Sequence, residues 1–516
     1  MKSFLARYQE RILGALSGLD RIMFRGTLRQ LSHTAGLDSF LGHRRILLKD
    51  FGAHSQGLTD QIREATNEIA TSSGRPLRYV YCNATSKEKL VRTIVAEQPV
   101  SEGLICILSC VEPCMSYQIT RNAKRKRIEL TRTMRKCLHY YHYFIDRVFG
   151  FMHVRVQTWY PFMVQVYING REWLCRQLDA DRVKYERREN TLATVENFER
   201  AQQLLSAQIK VHWPQQLDRV LKLAHPLHHQ FFPEPNLRYY WSVLEMEWAT
   251  DLAFTSPSTL AEIYPALTQH AISQFRSPDV MRFLGKKPGG NFQGEVVSDY
   301  RHRPEGVRVK HRLKSNSIKI YDKQGSVLRV ETTINQPRDF KVFRRPEGKP
   351  RAAKGWLTLR KGVADIERLS RITQSSNERY YQALACVAER TALHKLVDAV
   401  CQPIHLNGRR VRALNPWSKP DVDLLCAISR GEFTLNGFRN ADVARQLFAQ
   451  QPESTLERRR VTSCVSRRLR ILRAHHIIKK IPKSHRYQLT KNGRRIVTAL
   501  LAARQANIDD LLRTAA

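Results

Sequence analysis

The stretch Val307–Ile334, VRVKHRLKSNSIKIYDKQGSVLRVETTI, constrains the fold of this chain more than any other. Polar and apolar residues alternate through Ser317–Tyr321, break at Asp322–Ser326, and alternate again through Val327–Ile334. Period-two runs rich in β-branched residues, around a polar loop that contains glycine, predict a β-hairpin. Tyr321, Lys323, Arg329 and Glu331 lie on or beside its two strands, and His311 lies just before them. A tyrosine nucleophile, a carboxylate for a metal and cations to meet a phosphate are the parts of a DNA-nicking site. An amphipathic hairpin with a polar solvent face accounts for the same residues.

Charge is the dominant global property. The 516 residues carry 86 Lys and Arg against 47 Asp and Glu, a formal net charge of +39. A folded chain this basic is suited to neutralising phosphates, so DNA or a structured RNA is the expected partner. No apolar run approaches the roughly 18 residues that cross a bilayer, so no membrane partner is expected. The first residues, MKSFLARYQERILGALSGLDR, read as an amphipathic helix and not as a signal peptide. Ten cysteines spread without a dense framework fit a reducing cytoplasm. Oligomeric state is not encoded in any pattern.

The residues Lys314, Ser315, Ser317, Lys319, Ile320, Tyr321, Asp322, Lys323, Arg329, Val330 and Glu331 give the hairpin a Ser-rich basic strand, an Ile-Tyr-Asp-Lys strand and an Arg-hydrophobe-Glu strand. In this it resembles the Rep-trans replication initiators of rolling-circle plasmids and, more loosely, the nicking proteins of filamentous phages. The whole chain also resembles a family of large bacterial proteins with a mobile-element character. The hairpin resemblance implies that Tyr321 attacks a phosphodiester and that Lys323 and Arg329 steady the phosphate. Glu331 would help hold a divalent metal, Mg²⁺ or Mn²⁺, and His311 would be a ligand or general acid. The His-hydrophobe-His pair of many tyrosine nickases has no counterpart here.

Taken in order, residues 1–175 read as the N-terminal part of an α/β body. Asp20 and Arg21, at the start of a strand, Leu19–Leu28, read first as a structural ion pair and alternatively as residues that reach a site. A helix is expected over Leu58–Ser72, and the continuous apolar run Gly103–Val111 reads as a buried central strand. Lys124, Arg125 and Arg127 fit either a nucleic-acid contact or a solvated turn. His153 and Arg155 are two apart, so a strand presents both on one face, amid aromatics of the kind that stack bases. Asn169-Gly170 reads as a hairpin turn.

Residues 176–235 turn to helical spacing and read as a helical insertion, with His225, His228 and His229 as surface histidines. Residues 236–345 return to the body through the strand Tyr239–Phe254, whose Glu247 and Asp251 are candidate metal ligands in a basic chain. Residues 346–420 read as a linker and helical region, and the basic run Gln336–Lys361 as a loop against nucleic acid.

Residues 421–516 carry helices over Asp421–Ile428, Asn440–Phe448 and Thr455–His475, then a ribbon with a basic tip and a last helix. This resembles a winged helix-turn-helix, in which the third helix enters the major groove and the wing follows the backbone. The resemblance places Arg459, Arg460, Arg467, Arg470, Lys483 and Arg486 against nucleic acid. The expected architecture is therefore α+β: a mixed-sheet body, a helical insertion and a C-terminal winged helix. The expected function is a metal-dependent DNA nickase or strand transferase of a mobile element, acting through a tyrosine. The alternative is a non-catalytic protein that clamps structured DNA or RNA.

Overall fold

The computed structural model describes the chain except residues 82–85, 125, 235–236, 287–294, 304–305, 347, 349–350, 386–396, 399, 407, 434–436, 449–453, 483 and 506–516. The chain forms two compact units. The larger holds Ile12–Ser256 and Lys314–Asn377, and the smaller Met1–Arg11, Pro257–Leu313 and Glu378–Ala516.

The larger unit is built on β1 (Ile12–Leu28), β2 (Leu77–Tyr79), β3 (Gly103–Asn122), β4 (Arg127–Asp146), β5 (Gly150–Gln157), β6 (Val164–Asn169), the hairpin β7 (Tyr185–Arg188) and β8 (Thr191–Val195), and β9 (Tyr239–Phe254). The smaller unit contributes β10 (Val296–Arg303) and β11 (Gly306–Leu313) as an antiparallel hairpin. The larger unit then adds β12 (Asn316–Lys323), β13 (Val327–Ile334), β14 (Lys341–Arg344) and β15 (Gly355–Thr358). Its main sheet runs β12-β13-β9-β1-β6-β5-β4-β3-β2. β2 joins in parallel and the neighbours from β3 to β13 pair antiparallel, so the sheet is mixed and the fold is α+β.

Alternation along these strands gives the sheet two unlike faces. One face sends Ile22, Phe24, Val154, Val156, Val164, Val166 and Ile168 into the principal core, beneath the helices Thr34–His43, Phe51–Ser72 and Trp213–Ala224. The opposite face is polar at its middle. Two smaller apolar clusters cover parts of it: Val91 and Ile94 pack with Cys106, Leu108 and Tyr143, and Leu174, Leu178, Ala201 and Leu205 pack with Leu16.

The expected central hairpin forms as β12 and β13, with Lys319 opposite Glu331 and Tyr321 opposite Arg329. Gln324 and Gly325 turn it in the left-handed region, at φ 58° and 80°. Other expectations are corrected. The N-terminal helix is only Lys2–Arg7 and β1 starts at Ile12, because pairing with β9 along its length outweighs local helical pattern. Helix Phe51–Ser72 starts earlier than expected.

Asn169-Gly170 does not turn a hairpin. The Asn169 carboxamide oxygen accepts from the backbone N–H of Arg171 and Glu172, capping the helix Gly170–Ala180. The stretch 176–235 contains the β7–β8 hairpin beside its helices, and its helices belong to the cores above. His225 and His228 are buried, not surface residues. Gln336–Lys361 is not a featureless loop, since β14 and β15 pair within it.

In the smaller unit the helix Lys2–Arg7 seats Phe4 against Tyr381, and the helices Pro257–Gln274 and Ser277–Phe283 precede β10. Its C-terminal region runs helix Lys419–Ser429, a bridge from Phe438 to Tyr487, helix Asn440–Leu447, helix Thr455–Ala474, strands β18 (Ile478–Lys480) and β19 (Tyr487–Leu489), and helix Lys491–Gln505. A preceding pair, β16 (Ile404–Leu406) and β17 (Arg409–Val411), also belongs to this unit. Leu425, Ile428, Phe438, Val443, Val465, Leu469, Leu472 and Val497 form one core there. Ser454 and Glu457 close a capping box at the head of the long helix.

Candidate functional site

The polar face of the main sheet gathers acids from three strands. Register sets Arg329 opposite Asp251 and Thr333 opposite Glu247, so period two sends Lys319, Tyr321, Arg329, Glu331, Glu247 and Asp251 to one side. On β1, Leu19 pairs with Trp248 and Arg21 with Glu247, which leaves Asp20 as the extra residue of a β-bulge. Asp20 thereby reaches the same cluster. Carboxylate oxygens of Asp20, Glu247 and Glu331 lie within 4.8 Å of one another.

Glu331 is 1% exposed. Its Oε2 accepts from the Tyr321 hydroxyl at 2.7 Å, and its Oε1 lies 2.6 Å from the Lys319 ammonium. Asp20 Oδ1 accepts from Arg329 Nη1 and from the Asn190 amide, both at 3.0 Å. Glu247 is held more loosely, by the Thr333 hydroxyl at 3.4 Å and by Arg21 at 3.8 Å.

The electrostatics follow from this spacing. Burial alone would raise Glu331, but the Lys319 and Arg329 charges win and hold it well below the usual carboxylate range. Glu247 moves the other way, raised first by burial and then by the Glu331 charge. Tyr321 is likewise raised well above an ordinary phenol, by burial first and the Glu331 charge second. Burial and the neighbouring Glu331 carboxylate therefore both disfavour a charge on Glu247. Three carboxylates whose oxygens converge within 4.8 Å could hold a hard divalent cation such as Mg²⁺ or Mn²⁺.

Of the residues singled out in the sequence, Tyr321, Glu331 and Glu247 are brought together. Asp251 is not a member of the acidic trio. Both its oxygens accept from Arg329, at 2.6 and 2.8 Å, and Arg171 adds a third contact at 3.0 Å. Arg329 is correspondingly 1% exposed, with a further bond to the Asn190 carbonyl, so it is a strut of the cluster and not a phosphate ligand. Lys323 is engaged by Glu189 at 3.0 Å.

His311 belongs to the smaller unit, where it is fully buried. Both its nitrogens are occupied, by the Ser298 hydroxyl at 2.7 Å and the Tyr380 hydroxyl at 3.1 Å, and burial pushes it down to about 4. It is a core histidine and not a general acid.

His153 and Arg155 share a face as expected, yet both serve the interior. His153 stacks on Tyr167 at 5.0 Å, and Arg155 joins Lys87 and the Tyr141 hydroxyl around Glu112, each within 2.8 Å. Those three hold Glu112 down to about 2 against the opposing effect of burial.

Arg459, Arg460, Arg467 and Arg470 are exposed on the helix Thr455–Ala474, whose Val465, Leu469 and Leu472 face inward. Arg486 donates to the Gly437 carbonyl at 3.2 Å. Lys124 and Arg127 are exposed at the β3–β4 turn, and Arg127 reaches Glu129 at 2.9 Å. Arg125 and Lys483 lie outside the described residues.

The sequence favours an ion pair between Asp20 and Arg21 over a place in the site; the pair forms at 3.7 Å, yet Asp20 also joins the trio, and no sequence pattern assigns Lys319 and Arg171 as its counter-charges. The usable signal was Asp20-Arg21, two adjacent charges inside an apolar strand. Strict alternation sends the two to opposite faces, and it is the bulge in the β1–β9 register that brings Asp20 to the face of Arg21.

No family model matches the chain, and no curated protein matches its sequence.

Proposed function

We propose that the protein binds nucleic acid and cleaves its phosphodiester backbone at the Asp20–Glu247–Glu331 trio, with Tyr321 as nucleophile. The observation that carries this reading is the Tyr321 hydroxyl, hydrogen-bonded at 2.7 Å to one of three carboxylates that converge within 4.8 Å in a chain of net charge +39. In the reaction, a bond forms between Tyr321 Oη and phosphorus while the bond to the leaving sugar oxygen breaks. The tyrosine proton leaves to water and the departing oxygen takes one from solvent, while Glu331, kept ionised by Lys319 and Arg329, orients the Tyr321 hydroxyl. Asp20, Glu247 and Glu331 would hold a divalent ion, which supplies charge to the phosphoryl and leaving oxygens. Lys319 and Arg21 orient the carboxylates. The element order of the C-terminal region, with its exposed arginines on the third helix, supports DNA binding in the manner of a winged helix.

A second reading is favoured by a specific feature: Lys319 already lies 2.6 Å from Glu331, and Arg329 is spent on Asp20 and Asp251. On that reading the cluster is an ion-pair core in a protein that clamps nucleic acid without cutting it.

Incubation with Mn²⁺ and end-labelled single-stranded DNA separates the two. A covalent protein–DNA adduct on a denaturing gel, lost in Tyr321→Phe and in Glu247→Gln, is the expected result. Binding that persists with no adduct over supercoiled, hairpin and single-stranded substrates would leave the clamp.

A further inference from the structure

We infer that the β14–β15 hairpin is a stacking platform for single-stranded nucleic acid. Its two faces are chemically opposite. Val342 packs against the principal core, whereas Phe343 and Trp356, paired directly across the strands, are 57% and 68% exposed. Their ring centroids are 5.7 Å apart at an interplanar angle of 57°, which leaves a broad face of Trp356 open to solvent. Exposure on this scale contributes little to folding, so the hydrophobic effect does not explain why two large aromatics stand here.

The setting supplies the second half of a nucleic-acid site. A concavity of about 380 Å³ beside Phe343 is lined by Arg344, Arg345, Lys354, Arg360 and Arg368. Arg344 is fixed by the Thr358 and Arg345 carbonyls, both at 3.2 Å, so its guanidinium is preorganised. Asp365 is 1% exposed beneath them and bonds Arg360 at 3.0 Å and Arg368 at 2.5 Å, orienting both. Five cations over one buried carboxylate make a strongly positive pocket next to flat π surfaces. A phosphate in that pocket would put the adjoining base over Phe343 or Trp356, the arrangement in which stacking tolerates any base. A duplex hides its base faces, so the platform selects unpaired strands.

The inference extends the proposed nucleic-acid binding but does not depend on cleavage at Tyr321. It is therefore tested in EDTA with the full-length protein, by fluorescence anisotropy of labelled oligo(dT), oligo(U) and a duplex over a range of salt. The double variant Phe343→Ala, Trp356→Ala is expected to lose about 5-fold to 150-fold in single-strand affinity per stacked base. Its salt dependence and its duplex binding should stay as in the wild type, and Trp356→Phe should restore most of the loss. The variant Arg344→Ala, Lys354→Ala should instead flatten the salt slope by about 0.7 for each phosphate contact removed. The oligo(dT) and oligo(U) arms distinguish DNA from RNA as the strand taken up. Single-strand binding within about twofold of wild type in the aromatic double variant, with native circular dichroism, would overturn the inference. So would an equal loss of duplex binding.

Discussion

Two charged regions of this molecule work by opposite rules. At the centre of the main sheet, four acids, Asp20, Asp251, Glu247 and Glu331, meet four bases, Arg21, Arg171, Lys319 and Arg329, and most of these side chains are out of water. Along the helix Thr455–Ala474, Arg459, Arg460, Arg467 and Arg470 project into solvent with Glu457 committed to the helix cap. Buried charges must be matched nearly one for one, because each unmatched ion costs several kcal/mol of desolvation. Exposed charges carry no such constraint and can remain as surplus. The net charge of +39 therefore belongs to the surface, and the central cluster is close to neutral.

The sharpest way to break this comparison is acid. Burial holds His142, His153 and His225 of the larger unit at about 3, and His139 and His228 at about 4. Each folded value lies below the unfolded value near 6.5, so the unfolded chain binds more protons in between. Stability is full above pH 6.5 and falls as pH drops, by about 1.4 kcal/mol per pH unit for each such histidine. Near-ultraviolet circular dichroism should show the larger unit unfolding before pH 4 is reached. A transition independent of pH between 6.5 and 4 would mean that these rings reach water.

A smaller effect tests the balanced cluster directly. Arg329→Met removes the nearest cation from both Asp251 and Asp20, and should cost about 3–5 kcal/mol in urea unfolding at neutral pH. Arg467→Ala on the exposed helix should stay within about 0.5 kcal/mol. Similar values for the two would erase the distinction. The smallest effect is expected in binding: Arg467→Ala and Arg470→Ala should each lower the salt slope for duplex DNA by about 0.9 if they meet phosphates, with little change in stability. An unchanged slope would remove those arginines from the interface.

How far the sequence exposed this arrangement depends on the range of the forces involved. The β12–β13 hairpin was legible because alternation and Gln324-Gly325 are local, and the long C-terminal helix because Val465, Leu469 and Leu472 recur at helical spacing. Tyr321, Glu331 and Glu247 could be grouped from neighbouring strands. Which acid completed the trio could not be, since Asp20 and Asp251 differ only in what the register of β1, β9 and β13 brings beside them. The assignment of Arg329 to a phosphate failed for the same reason, as two acids remote in sequence claim it. Asn169 misled locally, because the same side chain serves a tight turn or a helix cap and only the following Trp173 and Leu174, buried in two different clusters, decide for the helix.

The bulge at Asp20 has a counterpart. Beyond it, Met23 pairs with Glu245 and Phe24 with Val243, so Leu244 is the residue that β9 passes over. One strand gains a residue, the other gains one three pairs later, and the two offsets cancel. The place of the acidic trio is thus inherited as a count as well as a set of side chains. Deleting Asp20 would spare every other residue of the cluster yet leave Leu244 uncompensated, throwing the remainder of β1 out of step with β9. In this strand the count of residues positions the site as much as their chemistry does.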